Sequence, residues 1–191
     1  MAVLPIRLIG DPVLRTVCRR LSLDELRSED VQEFIDDLIE TMRDANGAGL
    51  AAPQVGRAVA IAAVQIADNP RYPYKPNFPL TVFVNPTVTA IGHETESLYE
   101  GCLSVPNLRG LVSRSMHVHI DALDRHGHSI TLDVHGLTAG TFQHEFDHLE
   151  GRLFVDRVED SSTFCTWDNF DRFHKTAFVQ RAESIVQQYG G

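Results

Sequence analysis

Hydrophobic positions along this chain fall into helical stripes and stretches of strand. Between residues 30 and 45, Val31, Phe34, Ile35, Leu38, Ile39 and Met42 recur at the 3–4 residue spacing of one helix face. Asp30 with Glu33 three residues on predicts the N-terminal cap, and Asn46-Gly47 predicts the stop. Earlier, Gly10-Asp11-Pro12 reads as a turn. Residues 59–66 read as a buried strand, 80–85 as a second, and 87–91 as a third after the break at Pro86. The stretch 68–79, with four prolines and two tyrosines, reads as an extended surface loop. From residue 116 the pattern alternates, with Val118, Ile120 and Ala122 on one face, then Ile130, Leu132 and Val134. The turn Asp124-Arg125-His126-Gly127 between them makes this an antiparallel hairpin whose His117, His119, His126 and His128 face solvent. A helix over 138–150 ends at Gly151, and beyond Asp156 the chain is polar until a last amphipathic helix carrying Phe178, Ala182, Ile185, Val186 and Tyr189.

The 138–150 helix carries the chemistry. Phe142, Phe146, Leu149 and Leu153 form an apolar stripe for packing on a core. His144 and His148, with Leu137 and Thr141 a turn or two back, fall on a different side, which would face a cavity. Histidines four apart can offer ring nitrogens to a single ion, and Glu145 between them can reach a water activated by that ion. The pattern H-E-x-x-H points to metal-assisted hydrolysis.

Composition narrows this picture. The 191 residues suit one domain, residues 1–191, with no repeat or second unit, and 43% hydrophobic with 23% charged residues is ordinary for a soluble globular protein. A formal net charge of -9 argues against a general nucleic-acid binder, and no direct nucleic-acid motif is present. No apolar run approaches the ~20 residues of a membrane helix, so no membrane partner is expected. Pro5 and Arg7 break the N-terminal apolar run, which does not read as a signal peptide, and the expected location is cytoplasmic. Three widely spaced cysteines are a reduced set, with Cys18 and Cys165 expected to be buried. Cys102, between Gly101 and a nearby Pro106, sits in a turn near a strand end where a thiolate can reach a metal. In Gly47-Ala48-Gly49-Leu50-Ala51-Ala52-Pro53-Gln54, the alternate glycines fit either a tight helix-to-strand connection or a binding loop.

Two histidines leave a tetrahedral site in need of a third protein ligand. Glu159, Asp160 and His174 lie downstream, where peptidases with this helix usually find theirs, but in no recognisable spacing. Upstream, Cys102 with His144 and His148 makes a donor set suited to Zn²⁺ or Fe²⁺. The stretches Gly47-Ala-Gly-Leu-Ala-Ala-Pro-Gln54, Glu100-Gly-Cys-Leu-Ser104 and Gln143-His-Glu-Phe-Asp-His-Leu149 resemble the three signature motifs of the peptide deformylases, in order and with suitable spacing. The likeness runs from Ile9-Gly10-Asp11-Pro12 to Gly151-Arg152-Leu153-Phe154, about three quarters of the chain.

The resemblance implies an α+β fold, with antiparallel β-sheets packed around a central metal-binding helix. It implies a hydrolase that removes the formyl group from the formyl-methionine of nascent polypeptides, with Fe²⁺ as native ion and Zn²⁺, Ni²⁺ or Co²⁺ able to replace it. Cys102, His144 and His148 would be its ligands, and Glu145 the proton acceptor that later protonates the departing amine. Gln54 and the Leu103 backbone N–H would stabilise the oxyanion. Gly49, Ala48, Leu137 and Thr141 would receive the formyl-methionine end, Arg109 would lie near the exit of the peptide groove, and Asp147 with Arg114 would steady the helix. Gly140 departs from the pattern, since many members carry a larger side chain there. So does the C-terminal extension from about residue 156, with six acidic and four basic side chains. The ribosome is a possible partner, but the basic-helix docking of some bacterial members does not carry over. Two rival readings remain, an H-E-x-x-H metallopeptidase with a downstream third ligand, and a metal-binding module that has no use for Glu145.

Overall fold

Ser28 starts the first long helix. Its hydroxyl accepts a hydrogen bond from the Val31 N–H, satisfying one of the donors a helix start leaves open, and α2 runs over Glu29–Asp44 behind a four-residue helix α1, Leu23–Leu26. The cap therefore lies two residues before the expected Asp30, whose carboxylate is drawn instead into an ion pair with Arg57. Asn46, at φ 52°, takes the left-handed turn that ends the helix, and the Gly47 N–H bonds back to the Met42 carbonyl at 2.9 Å. The stripe Val31, Phe34, Ile35, Leu38, Ile39 and Met42 is buried as its spacing requires.

The computed structural model describes residues 2–67 and 74–190. Its strands are β1 Gly49–Ala51, β2 Ile61–Ile66, β3 Phe78–Ala90, β4 Thr95–Cys102, β5 Val105–Ser115, β6 His117–Leu123 and β7 Ser129–His135. Five make an antiparallel sheet in the order β1-β2-β3-β6-β7, while β4 and β5 form a separate hairpin. The two strands expected on either side of Pro86 are one strand, β3. Its register slips between Val84 and Thr87, and Asn85 at φ 53° absorbs the bulge while its amide bonds both backbone groups of Leu21. A bulge tolerates a proline because no ladder bond is asked of it. Of the expected loop 68–79, residues 68–73 lie outside the described residues. Beyond them Tyr74 and Lys75 turn inward to line a cavity, and Phe78 and Pro79 already belong to β3.

Between the sheets lies α3, Gly136–Leu149, starting two residues earlier than its pattern suggested and closed by Gly151 at φ 70°. Phe142 and Phe146 pack edge-on against Phe83 of β3, with ring centroids 5.0 and 5.7 Å away. Most of the opposite face is buried too, because the β4–β5 hairpin and the last helix α5, Lys175–Tyr189, cover it. Leu153 is not part of the helical stripe: it lies past Gly151 and packs with Leu14 and Phe154. The fold is α+β, with antiparallel sheets around a central helix.

The β6–β7 hairpin pairs as its alternation required. Of the four histidines expected to face solvent, His126 and His128 are exposed, while His119 is half-buried between Asp121 and Asp133 and His117 stacks on His135 with centroids 3.9 Å apart. Cys18 is buried, but Cys165, whose backbone pairs with Arg109 of β5, is only half-buried. The region after Asp156 is more apolar inside than its composition suggested: Phe170, Phe178, Ala182 and Ile185 are all buried against α3 and β4.

Candidate metal centre and its cavity

Strand β4 ends at Cys102, and α3 carries His144 and His148 past it. One ligand atom from each of these three residues lies within 4.8 Å of the other two, a buried group able to hold a metal ion. Cys102 Sγ stands 3.3 Å from His148 Nε2. His144 Nδ1 meets Glu100 Oε2 at 2.8 Å, which leaves the Nε2 lone pair to face the metal position. Among the described residues, Glu159, Asp160 and His174 belong to no such group.

Glu100 was quoted within a motif but given no role by sequence. In the structure it links the centre to the scaffold. Its two oxygens accept from Arg114 Nε and Nη2 at 2.7 and 3.0 Å, and Arg114 Nη1 reaches Asp147 at 2.6 Å. Arg157 joins Asp147 from the other side at 2.5 Å. The expected Asp147–Arg114 pair is thus one arm of a buried network that ties β4, β5 and α3 together. Burial alone would raise the Glu100 carboxyl, but Arg114 and His144 outweigh it and hold it at about 2. The same carboxylates keep Arg114 charged despite its burial.

Gln54 sits in a helical turn, Ala52–Val55, that follows β1. Its Oε1 accepts from the Ala51 N–H at 2.9 Å, which fixes the amide so that Nε2 points to Ser104 Oγ at 3.1 Å and Cys102 Sγ at 3.5 Å. Glu145 is 5% exposed, and its Oε2 is buried without a hydrogen-bond partner among the described residues. Burial pushes its carboxyl up to about 7, against the pull of His144 and Lys75.

A cavity of about 670 Å³ opens onto these groups. Ala48, Gly49, Gln54, Cys102, Leu103, Arg109, Leu137, Thr141, His144 and Glu145 all line it, so the predicted residues converge on one space. His148, 1% exposed, lies behind the wall. Gly49 has a use beyond leaving room for a ligand: a Cβ there would come within 2.5 Å of the Glu145 carboxyl. Gly140 is explained likewise, since Leu98 of β4 reaches over it, 2.7 Å from where a Cβ would stand. Arg109 is 2% exposed and sealed under aromatic rings, a deeper position than the exit of a groove.

Several lining residues escaped sequence reading. Lys75 donates to the Thr141 hydroxyl at 2.8 Å, and burial drops its ammonium to about 8 against the pull of Glu100 and Glu145. Tyr99, Trp167, Phe170 and Phe178 also line the space. Nothing in their local sequence signals a site, because each reaches it only through tertiary contact.

The model of the polypeptide deformylase family matches residues 3–164, so 165–191 lie beyond the matched span. Among curated relatives, peptide deformylase 2 of Nostoc sp. is 40% identical over 169 residues, covering 87% of this chain and 92% of its own length. Peptide deformylase 1 of Prochlorococcus marinus is 43% identical over 165 residues, 86% of this chain and 85% of the relative. Among solved structures, a class I type b peptide deformylase of Acinetobacter baumannii with Met-Ala-Ser bound superposes with a TM-score of 0.79 at 38% identity. That match covers 82% of this chain and 99% of the other.

Proposed function

This chain belongs to the polypeptide deformylase family, and from that premise we propose how its own residues remove the N-formyl group from formyl-methionyl polypeptides. The observation that carries the reading is the convergence of Cys102, His144 and His148 within 4.8 Å, in a cavity that also holds Glu145. A thiolate and two imidazoles, one fixed by Glu100, are a donor set that fits one divalent ion per chain. We assign Fe²⁺ as that ion, with Zn²⁺, Ni²⁺ or Co²⁺ as substitutes. When bound, it lowers the pKa of water from about 15.7 towards 7 and polarises the formyl oxygen.

The protein does the rest. Glu145 accepts the proton of the attacking water and then delivers it to the departing amine. Gln54 Nε2, aimed by the Ala51 N–H, and the Leu103 backbone N–H donate to the oxygen on which charge develops. Ala48, Gly49, Leu137 and Thr141 receive the formyl-methionine end, and Arg109 braces the wall beyond it. Residues 1–191 act as one catalytic domain whose C-terminal extension closes over α3. Its substrates are nascent chains, which places the enzyme in the cytoplasm near the ribosome; no described helix is long and apolar enough to cross a membrane.

The test is mass analysis of formyl-Met-Ala-Ser after incubation with anaerobically purified, iron-loaded protein, since a ferrous ion beside a thiolate is open to oxidation. We expect formate and intact Met-Ala-Ser. Formyl-Met with Ala-Ser would mark a metallopeptidase, and no cleavage at all would remove both readings.

A further inference from the structure

The cavity wall facing the metal centre is built in part by residues beyond the family-matched span. After Cys165, whose backbone exchanges hydrogen bonds with Arg109 at 2.8 and 2.9 Å, the chain forms α4 Trp167–Asn169, a π-helical stretch Phe170–His174, and α5. Trp167, Phe170, Asp171, Lys175, Phe178 and Val179 from this segment all line the cavity that holds Glu145. Stretches of π-helix are rare overall and are frequent at functional sites.

Two details place the wall close to the chemistry. Gly101 directly precedes Cys102, and a Cβ on it would stand 2.9 Å from Trp167 Cζ2, so the indole lies against the backbone of the ligand strand. Gly101 is not in the left-handed region; what its missing side chain provides is room for that ring. Arg109 clamps the wall in place. Its guanidinium carbon sits 3.7 Å from the Phe170 ring centroid and 4.6 Å from that of Trp167, while its Nη2 donates to the Tyr99 carbonyl at 2.7 Å.

On the deformylase reading, we propose that this C-terminal segment is part of the substrate site and selects the residue that follows formyl-methionine, favouring a large apolar or aromatic side chain. The chemistry of the wall carries the choice. Trp167, Phe170, Phe178 and Val179 offer apolar surface, and the only charged groups the segment contributes, Asp171 and Lys175, pair with each other at 3.1 Å. An apolar side chain seated there loses water on both sides, whereas a carboxylate would give up hydration against rings, with the nearest cation, Arg109, already stacked on Phe170 and Trp167 and bonded to the Tyr99 carbonyl. Trp167 and Phe170 are then specificity-determining residues, and the Asp171–Lys175 pair forms their polar margin.

Two measurements on the full-length, metal-loaded enzyme test this. Trp167 is the chain's sole tryptophan, so its fluorescence reports on the wall alone. The product peptide Met-Phe-Ser should shift its emission and titrate more tightly than Met-Asp-Ser. An emission unmoved by Met-Phe-Ser, or moved equally by both peptides, would overturn the proposal whether or not the protein deformylates. The second is the ratio of kcat/KM for formyl-Met-Phe-Ser over formyl-Met-Asp-Ser, which should exceed one in wild type. It should fall about tenfold in Trp167→Ala, chiefly through KM, and recover in Trp167→Phe. Equal losses on both peptides would reduce the wall to a structural role and overturn the proposal. Should Trp167→Ala not fold, Phe170→Leu reads the same ratio. Absence of formate from every peptide would instead strike the deformylase reading, leaving the fluorescence arm to judge the wall.

Discussion

Glu145→Gln should keep the metal and the fold while lowering kcat for formyl-Met-Ala-Ser by at least about 10³. The substitution keeps volume and shape, so α3 and its packing on Phe83 stay as they are. It removes the one cavity group on the metal-binding helix able both to take a proton from water and to return it to the leaving amine. A general acid–base contributes roughly 10²–10⁴, and a residue that serves in both steps belongs at the upper end. Glu145 also has its Oε2 buried without a partner among the described residues, so the carboxylate is not spent on a structural bond. Steady-state kinetics beside metal analysis check this. A variant with full metal whose kcat stays within tenfold of wild type would take Glu145 out of the mechanism.

Gly49→Ala should cost activity heavily while leaving stability nearly unchanged. Its φ is not in the left-handed region, so the backbone admits alanine, but the new Cβ would lie 2.5 Å from both Cδ and Oε1 of Glu145. Gly49 is held in register opposite Val64, and Glu145 hangs from a buried helix. The carboxylate is the part free to swing, and it must leave its place. Displacing a catalytic group by about 1 Å can cost roughly 10²-fold, so kcat/KM should fall by about that factor. The melting temperature should move by no more than roughly 4 °C, the response of a domain this size to about 1 kcal/mol. Activity near wild type would mean that Glu145 works from another position.

Legibility from sequence followed locality. α2, α5 and the β6–β7 hairpin could be read because their buried residues are mostly apolar and recur at the period of the element, and the metal helix because Phe142, Phe146 and Leu149 do so beside the H-E-x-x-H run. The β4–β5 hairpin could not. Its inward positions include Glu100, Arg109 and Arg114, buried charges that satisfy one another or stack on aromatic rings, and these break the alternation that marks a half-buried strand. Pro86 read as a strand end because nothing around it announces that Asn85 will carry a bulge. In the cavity, the residues within the three motifs were visible, since each motif is a short run with its own chemistry. Lys75, Tyr99, Trp167 and Phe170 were not, because the fold alone brings them to the site.

The central claim is that Cys102, His144 and His148 hold the one ion on which deformylation depends. The most direct measurement is an anaerobic titration of metal-stripped protein with Fe²⁺, following formate release from formyl-Met-Ala-Ser, for wild type and Cys102→Ser side by side. The stripped wild type should be inactive, and its activity should rise linearly and stop at one equivalent per chain. Cys102→Ser should bind the ion far more weakly and stay near baseline through the same range, because a hydroxyl is a poor substitute for a thiolate. Full activity in the stripped protein, or a Cys102→Ser curve that overlays wild type, would contradict the account.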